Sequence, residues 1–229
     1  MKYDKKANSA ISEYSDLIME VIQVNEEFLL EKAKETFDEV IELILDAIDY
    51  LRFTIKREKS KEEYVNHAMA FFLHHILMPF SYAIHSNLLL GNLPACFMEI
   101  RVMLETLTKC YLADLKYPNV TFFQDKIQLL EKENKSISKQ MKELEKRLGF
   151  KGDIVSLWGK LSNEWTHTEG IVDKIVNQIV NTKSVPPWGL VIPINYTENE
   201  LMVIDSLRKR IAQFRKLLKI TTEKYLHEK

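Results

Sequence analysis

The first 78 residues contain neither proline nor glycine, the two residue types that end helices most effectively. Nothing local stops the opening third of the chain from being helical, and its apolar residues recur at helical spacing. Phe37, Ile41, Ile44, Ile48, Leu51 and Ile55 step by 4, 3, 4, 3, 4, the 3.5-residue repeat of a long helix seated against a partner. Ile11, Ile18 and Ile22 keep a similar rhythm out of phase with that run. This predicts a break near residues 31–36, with Thr36-x-x-Glu39 capping the new start.

The rest of the chain reads the same way. Ser60-x-x-Glu63 is a capping box for a helix running to Leu90 with a kink at Pro79. Gly91 supplies a left-handed stop, and Pro94 suits the first turn of the next helix. That next helix, ACFMEIRVMLETLTKCYLADL, is apolar almost all round and marks the centre of the molecule. Phe123, Ile127, Leu130, Asn134, Ile137, Met141, Leu144 and Leu148 again alternate steps of 4 and 3, which predicts one long helix closed by Gly149. Asn134, the only polar member of that seam, either hydrogen-bonds to a partner helix or caps a break at Asn134-Lys135-Ser136. Asp153 is placed to cap a helix with Ile154, Trp158, Leu161 and Trp165 on one stripe. IVDKIVNQIV reads as a short helix. Residues 182–196 follow as an extended loop, with Trp188 anchoring either an arm between subunits or an internal lid. Thr197-x-x-Glu200 opens a last helix with Ile204, Leu207, Ile211, Phe214 and Leu218 turned inward.

Six glycines and six prolines in 229 residues are too few for the turns of an all-β chain. The expected fold is a single all-α domain over 1–229, a multi-helix bundle with several long amphipathic helices and one central apolar helix. Within it, 1–58 hold the long N-terminal helices, 60–181 the central bundle, 182–197 the extended loop and 198–229 the C-terminal helix.

Lys and Arg total 32 against 33 Asp and Glu, so no global charge recruits a polyanion. Cys96 and Cys110 lie 14 residues apart on one predicted helix, about 21 Å, too far for a disulfide. The opening MKYDKKANSAISEYSD has no apolar run of a signal peptide, and a cytoplasmic protein is expected. Tyr64 to Met98 carries no charged residue over 35 positions. Its histidines and Pro79 nonetheless suit a buried bundle helix rather than a membrane span. His67, His74 and His85 fall on one line of that helix and read as core or interface residues.

Arg101 and Glu105 sit four apart on the central helix, with Thr108 continuing their stripe. Such charges must be paired, either as a structural ion pair or as a fixed guanidinium that holds a phosphate or carboxylate. Glu164-x-x-His167 has the spacing used in di-metal bundles, but no second such motif accompanies it, so no cofactor is expected and Glu164 and His167 are weak metal ligands. Two charge stripes stand out. Glu35, Glu39, Glu42, Asp46 and Asp49 follow one face, and Lys132, Lys135, Lys139, Lys142 and Lys146 another, both stepping 4, 3, 4, 3 when read antiparallel. They are solvated faces or pair between helices or subunits. With Arg208, Arg215 and Lys219 of the last helix, the lysines could also track a phosphate backbone.

HSNLLLGNLPACFMEIRVMLETLTKCYLADL, followed by LSNEWTH, resembles HEPN-like helical-bundle proteins over about residues 80–170. Some members of that family are metal-independent ribonucleases, and the resemblance carries Arg101, Glu105 and His167 over as site residues. The family's nuclease hallmark, an Arg with a His a few positions on in the same helix, is absent here. Three functions follow as expectations. The first is a self-associating, non-enzymatic interaction or scaffold protein, because the long seams exceed what one bundle readily buries. The others are an HEPN-like nucleic-acid-binding protein or ribonuclease, and a carboxylate/histidine metal-binding bundle.

Overall fold

A computed structural model describes residues 5–57, 60–165 and 194–227, with side chains described over 12–56, 60–163 and 194–226. The chain runs as α1 (Lys5–Lys32), α2 (Lys34–Arg57), α3 (Lys61–Val65), α4 (Ala68–Phe72), a π turn (Leu73–Leu77), α5 (Met78–Leu89) and α6 (Leu93–Lys116). It continues through α7 (Phe123–Lys132), α8 (Ile137–Leu148), α9 (Asp153–Trp165), a 3₁₀ turn (Glu198–Glu200) and α10 (Leu201–His227). The fold is an all-α bundle, with no strand among the described residues. The IVDKIVNQIV segment, Trp188 and His167 lie outside the described residues, as do the side chains of Glu164 and Trp165.

α6 sits at the centre because it is apolar on every side, and it touches α4, α5, α7, α8, α9 and α10. Phe97, Ile100, Met103, Leu107 and Tyr111 on it are buried, as are the free thiols of Cys96 and Cys110. α10 presents Ile204, Leu207, Ile211, Phe214 and Leu218 to this core, all fully buried, and starts from the reciprocal Thr197/Glu200 capping box. Gly91 and Gly149 adopt the left-handed conformation that closes α5 and α8, and Pro94 lies in the first turn of α6.

Four local expectations fail, each for a physical reason. α1 and α2 part at Ala33, yet Thr36 does not cap. It lies inside α2, and its hydroxyl donates to the Ile204 carbonyl of α10. The helix expected from Ser60 to Leu90 begins at Ser60, whose hydroxyl accepts from the Glu63 N–H, but breaks at His67, an extended residue before α4. The π turn precedes Pro79, supplying the irregular backbone that a residue lacking an N–H demands. Break and π turn together disperse the histidine line: His67 stands outside a helix, His74 packs against Tyr64, and His85 packs against Phe37.

The helix expected across 123–148 is also two helices. Asn134 takes φ 50°, a left-handed residue that asparagine tolerates better than other side chains, so it ends α7 instead of facing a partner. The apolar seam nevertheless faces the core on both sides of the bend, with Leu130, Met141 and Leu144 buried. At the bend Lys116 reaches Glu133 and Glu143, and Lys135 reaches the same two carboxylates. This network pulls the Glu133 carboxyl down to about 2.

Candidate functional site

The central helix carries two charged centres of different kinds. Toward its N-terminal half, Arg101 Nε donates to Glu105 Oε1 at 2.8 Å, one turn away on the same face. Trp158 of α9 completes the group, its indole N–H donating to the same oxygen at 2.7 Å, with the Arg101 guanidinium 5.6 Å from its ring centroid. Arg101 and Glu105 keep about a quarter of their side-chain surface in solvent. The guanidinium is therefore oriented by a carboxylate and an aromatic face. Thr108 turns back onto the Leu104 carbonyl and takes no part in the site. The structure thus brings Arg101 and Glu105 together as expected. His167 lies outside the described residues.

The second centre had no sequence signal. Asp114, near the end of α6, forms an ion pair with Lys126 of α7 at 2.9 Å, and both side chains are nearly inaccessible. The Asp114 carboxylate also accepts the Ala68 and Met69 N–H groups, both at 3.0 Å, and the Tyr225 hydroxyl at 2.8 Å. Asp114 is the N-cap of α4, delivered from another helix, which is why the chain can break at His67. Lys126 completes its shell on the Asn66 carbonyl at 2.6 Å. Glu145 of α8 does the same for α9: its Oε1 accepts the Ile154 and Val155 N–H groups, in place of the cap expected from Asp153.

A third polar centre closes the far end of the α5–α6 hairpin. Asn25 of α1 is fully buried and donates to the Leu89 and Ile194 carbonyls, while its own carbonyl accepts the Tyr196 N–H, each at 2.8 Å. Gly91 is required there, since any Cβ would collide with the Ile194 carbonyl. Nearby, Asn87 donates to Glu99 Oε1, and burial raises the Glu99 carboxyl to about 7. Its other oxygen is buried without a hydrogen-bond partner.

The charge stripes resolve differently from one another. Arg215 of α10 binds three members of the acidic stripe, Asp46, Glu39 and Glu42, and Arg208 reaches Glu35. The acidic face of α2 is thus paired within the chain, with α10 rather than with the lysine helix. Lys219 is exposed and forms no ion pair among the described residues. Lys132, Lys139, Lys142 and Lys146 are exposed and likewise unpaired among the described residues, whereas Lys135 is held by Glu133 and Glu143. α8 has two acids of its own. Glu143 faces Lys116 and Lys135, and Glu145 is buried beneath α9, so only cations remain on the outer face.

Among the described residues no group of three His, Cys, Asp or Glu side chains could hold a metal ion, and no helix is long and apolar enough to cross a membrane. A cavity of about 20 Å³ beside Tyr50, Met69 and Thr222 has room for a single water and no substrate. The first half of α1 is also exposed. Val21, Asn25 and Leu29 seat its second half on the bundle, but residues 12–20 are all exposed except Ile18, which is half-buried. Tyr14, Leu17 and Met19 are 52%, 46% and 65% exposed. No family model matches the chain, and no curated protein or solved structure is significantly similar to it.

Proposed function

We propose that this protein is a self-associating helical bundle, a non-enzymatic interaction or scaffold protein of the cytoplasm. One observation carries the reading. The apolar stripe that seats α1 on its own bundle continues through half-buried Ile18 to Tyr14, with Leu17 beside it, and Tyr14 and Leu17 are exposed among the described residues. From Ser12 to Glu20 the exposed part of the helix extends for about 14 Å at 1.5 Å per residue. Water-exposed apolar stripes of that length are characteristic of subunit contacts. Light scattering coupled to size exclusion tests it. The wild-type chain is expected at twice its 26.9 kDa mass or more, and Leu17→Glu at the monomer mass with unchanged helix content. A wild-type monomer at micromolar concentration overturns the reading.

A second reading, nucleic-acid binding of the HEPN-like kind, is favoured by the outer face of α8. Lys139, Lys142 and Lys146 project from it with both of the helix's carboxylates turned inward, and Lys132 stands exposed at the end of α7. A duplex held by such lysines dissociates steeply with salt, losing about one unit of log–log slope for each lysine removed. Filter binding across a salt series with Lys139→Glu and Lys142→Glu tests this, and equal binding by the variants rejects it. In the same reading Arg101 and His167 form a ribonuclease centre, so RNA cleavage that persists in His167→Ala removes that part.

A further inference from the structure

The outer face of α8 is a line of cations on a fixed backbone. Lys139, Lys142 and Lys146 follow one side of the helix at steps of 3 and 4, all exposed, while Met141 and Leu144 are buried in the core. From Lys132 to Lys151 the chain carries seven cations against three carboxylates. All three carboxylates are engaged. Glu133 and Glu143 are held by Lys116 and Lys135, and Glu145 by the first N–H groups of α9. At the end of the line α10 adds Lys224, whose Nζ donates to the Arg147 carbonyl at 2.6 Å. The three lysines of α8 span about 10.5 Å at 1.5 Å per residue. The same length of duplex nucleic acid carries about six phosphate charges on its two strands together.

We propose that this face holds double-stranded nucleic acid through its phosphates alone, without regard to base sequence, an inference that rests on the nucleic-acid reading above. The make-up of α8 selects the duplex. Single strands are held by stacking their bases on aromatic side chains, and α8 has no aromatic residue. A flexible strand laid on the lysines would lose its freedom with no stack to offset the loss, whereas a duplex is ordered beforehand. Base edges are read chiefly by Arg, Lys, Asn and Gln that reach into a groove. α8 has no Asn, its one Gln, Gln140, is buried, and Arg147 stands about 100° round the helix from Lys146. The lysines themselves lie along the helix rather than at a projecting tip, the arrangement that meets a row of phosphates. An anionic membrane fits less well. Helices that lie on membranes bury an apolar face there, and the apolar residues of α8, Ile137, Met141, Leu144 and Leu148, are all packed on the core.

Fluorescence anisotropy of the full chain tests this, with labelled DNA and RNA duplexes of two unrelated sequences and their separated strands, beside flotation with phosphatidylserine vesicles. The two sequences are expected to bind within about twofold of each other, and the separated strands about tenfold more weakly or worse. Replacing Lys139, Lys142 and Lys146 together by Gln keeps good helix formers on α8 and should flatten the salt dependence by about 2.7 units of log–log slope. The same three changed to Glu should abolish binding, while Lys56→Glu on α2 binds as wild type. Should charge reversal unfold α8, seen as lost helix content, the Gln variant carries the measurement. Binding of either duplex with this pattern supports the proposal, and the DNA and RNA arms identify which one the face takes. Strands bound as tightly as duplexes, a sequence preference above about tenfold, or a Gln variant that keeps the wild-type slope overturns it while nucleic-acid binding stands. Vesicle flotation without duplex binding, or no binding to any of these probes, overturns both.

Discussion

Arg101–Glu105 and Asp114–Lys126 are both ion pairs of the central helix, yet they stand in opposite relations to the fold. Arg101 and Glu105 lie on one face of one helix, a quarter exposed, and bind a third side chain, Trp158. Asp114 and Lys126 come from different helices, are out of water, and hold the start of α4 and the end of α10. Exposed pairs gain little because water competes for both partners. Buried pairs become costly when broken, since the remaining charge has no solvent to turn to. The first pair keeps a share of solvent contact, and the second is committed to architecture.

The contrast can be broken at its strong end first. Asp114→Ala removes the carboxylate to which Lys126, two helix N–H groups and the Tyr225 hydroxyl donate. It is expected to lower stability by about 3–5 kcal/mol, read as a fall in the urea midpoint. A loss below 1 kcal/mol would equate the two pairs. Glu145→Ala removes a remote cap without removing an ion pair, and should cost about 1–2 kcal/mol in the same titration. Glu105→Gln keeps an acceptor for the Trp158 indole while deleting the charge. Its stability should stay within about 1 kcal/mol of wild type.

Glu99 sharpens the comparison from a third side, as a carboxyl of the same helix that accepts from the Asn87 amide and has no cation partner among the described residues. Its folded value near 7 lies above the ordinary value of 4.5, because burial disfavours the ionised form. Between pH 4.5 and 7 the unfolded chain ionises this group while the folded chain keeps its proton. Its contribution to stability is therefore full below pH 4.5 and is lost as the pH rises through 7. Glu99→Gln should match wild type at pH 4.5 and exceed its Tm by about 2 °C at pH 8, an effect damped by partial exposure. Equal pH profiles for the two proteins would show that Glu99 is solvated in the fold.

What could be read from the sequence follows the same division between local and remote causes. The all-α class, the central helix, the inward face of α10 and the Arg101–Glu105 contact all rest on residues within a few positions of each other. Helical spacing exposes such pairs directly. The caps of α4 and α9 were illegible because their acceptors, Asp114 and Glu145, lie 46 and 9 residues from the first N–H they receive. Asn134 misled for a related reason. Its seam position was right, since its neighbours do face the core, but periodicity carries no information about a single left-handed residue. The acidic stripe of α2 was visible as a pattern, yet its true partner, Arg215, showed itself only in three dimensions.

The junction at Asn25 has a consequence for the order in which the molecule is made. Asn25 leaves the ribosome 171 residues before Tyr196, the group whose N–H it must accept. At 5–20 residues per second, that separation is about 9–34 s, far longer than a helix takes to form. For this interval α1 lacks its anchorage, carrying a polar amide in the middle of an otherwise apolar stripe. α1 thus emerges ahead of the other described helices and is fastened only after Tyr196 has followed it. Over those 171 residues of synthesis the stripe stands open to chaperones and to other chains.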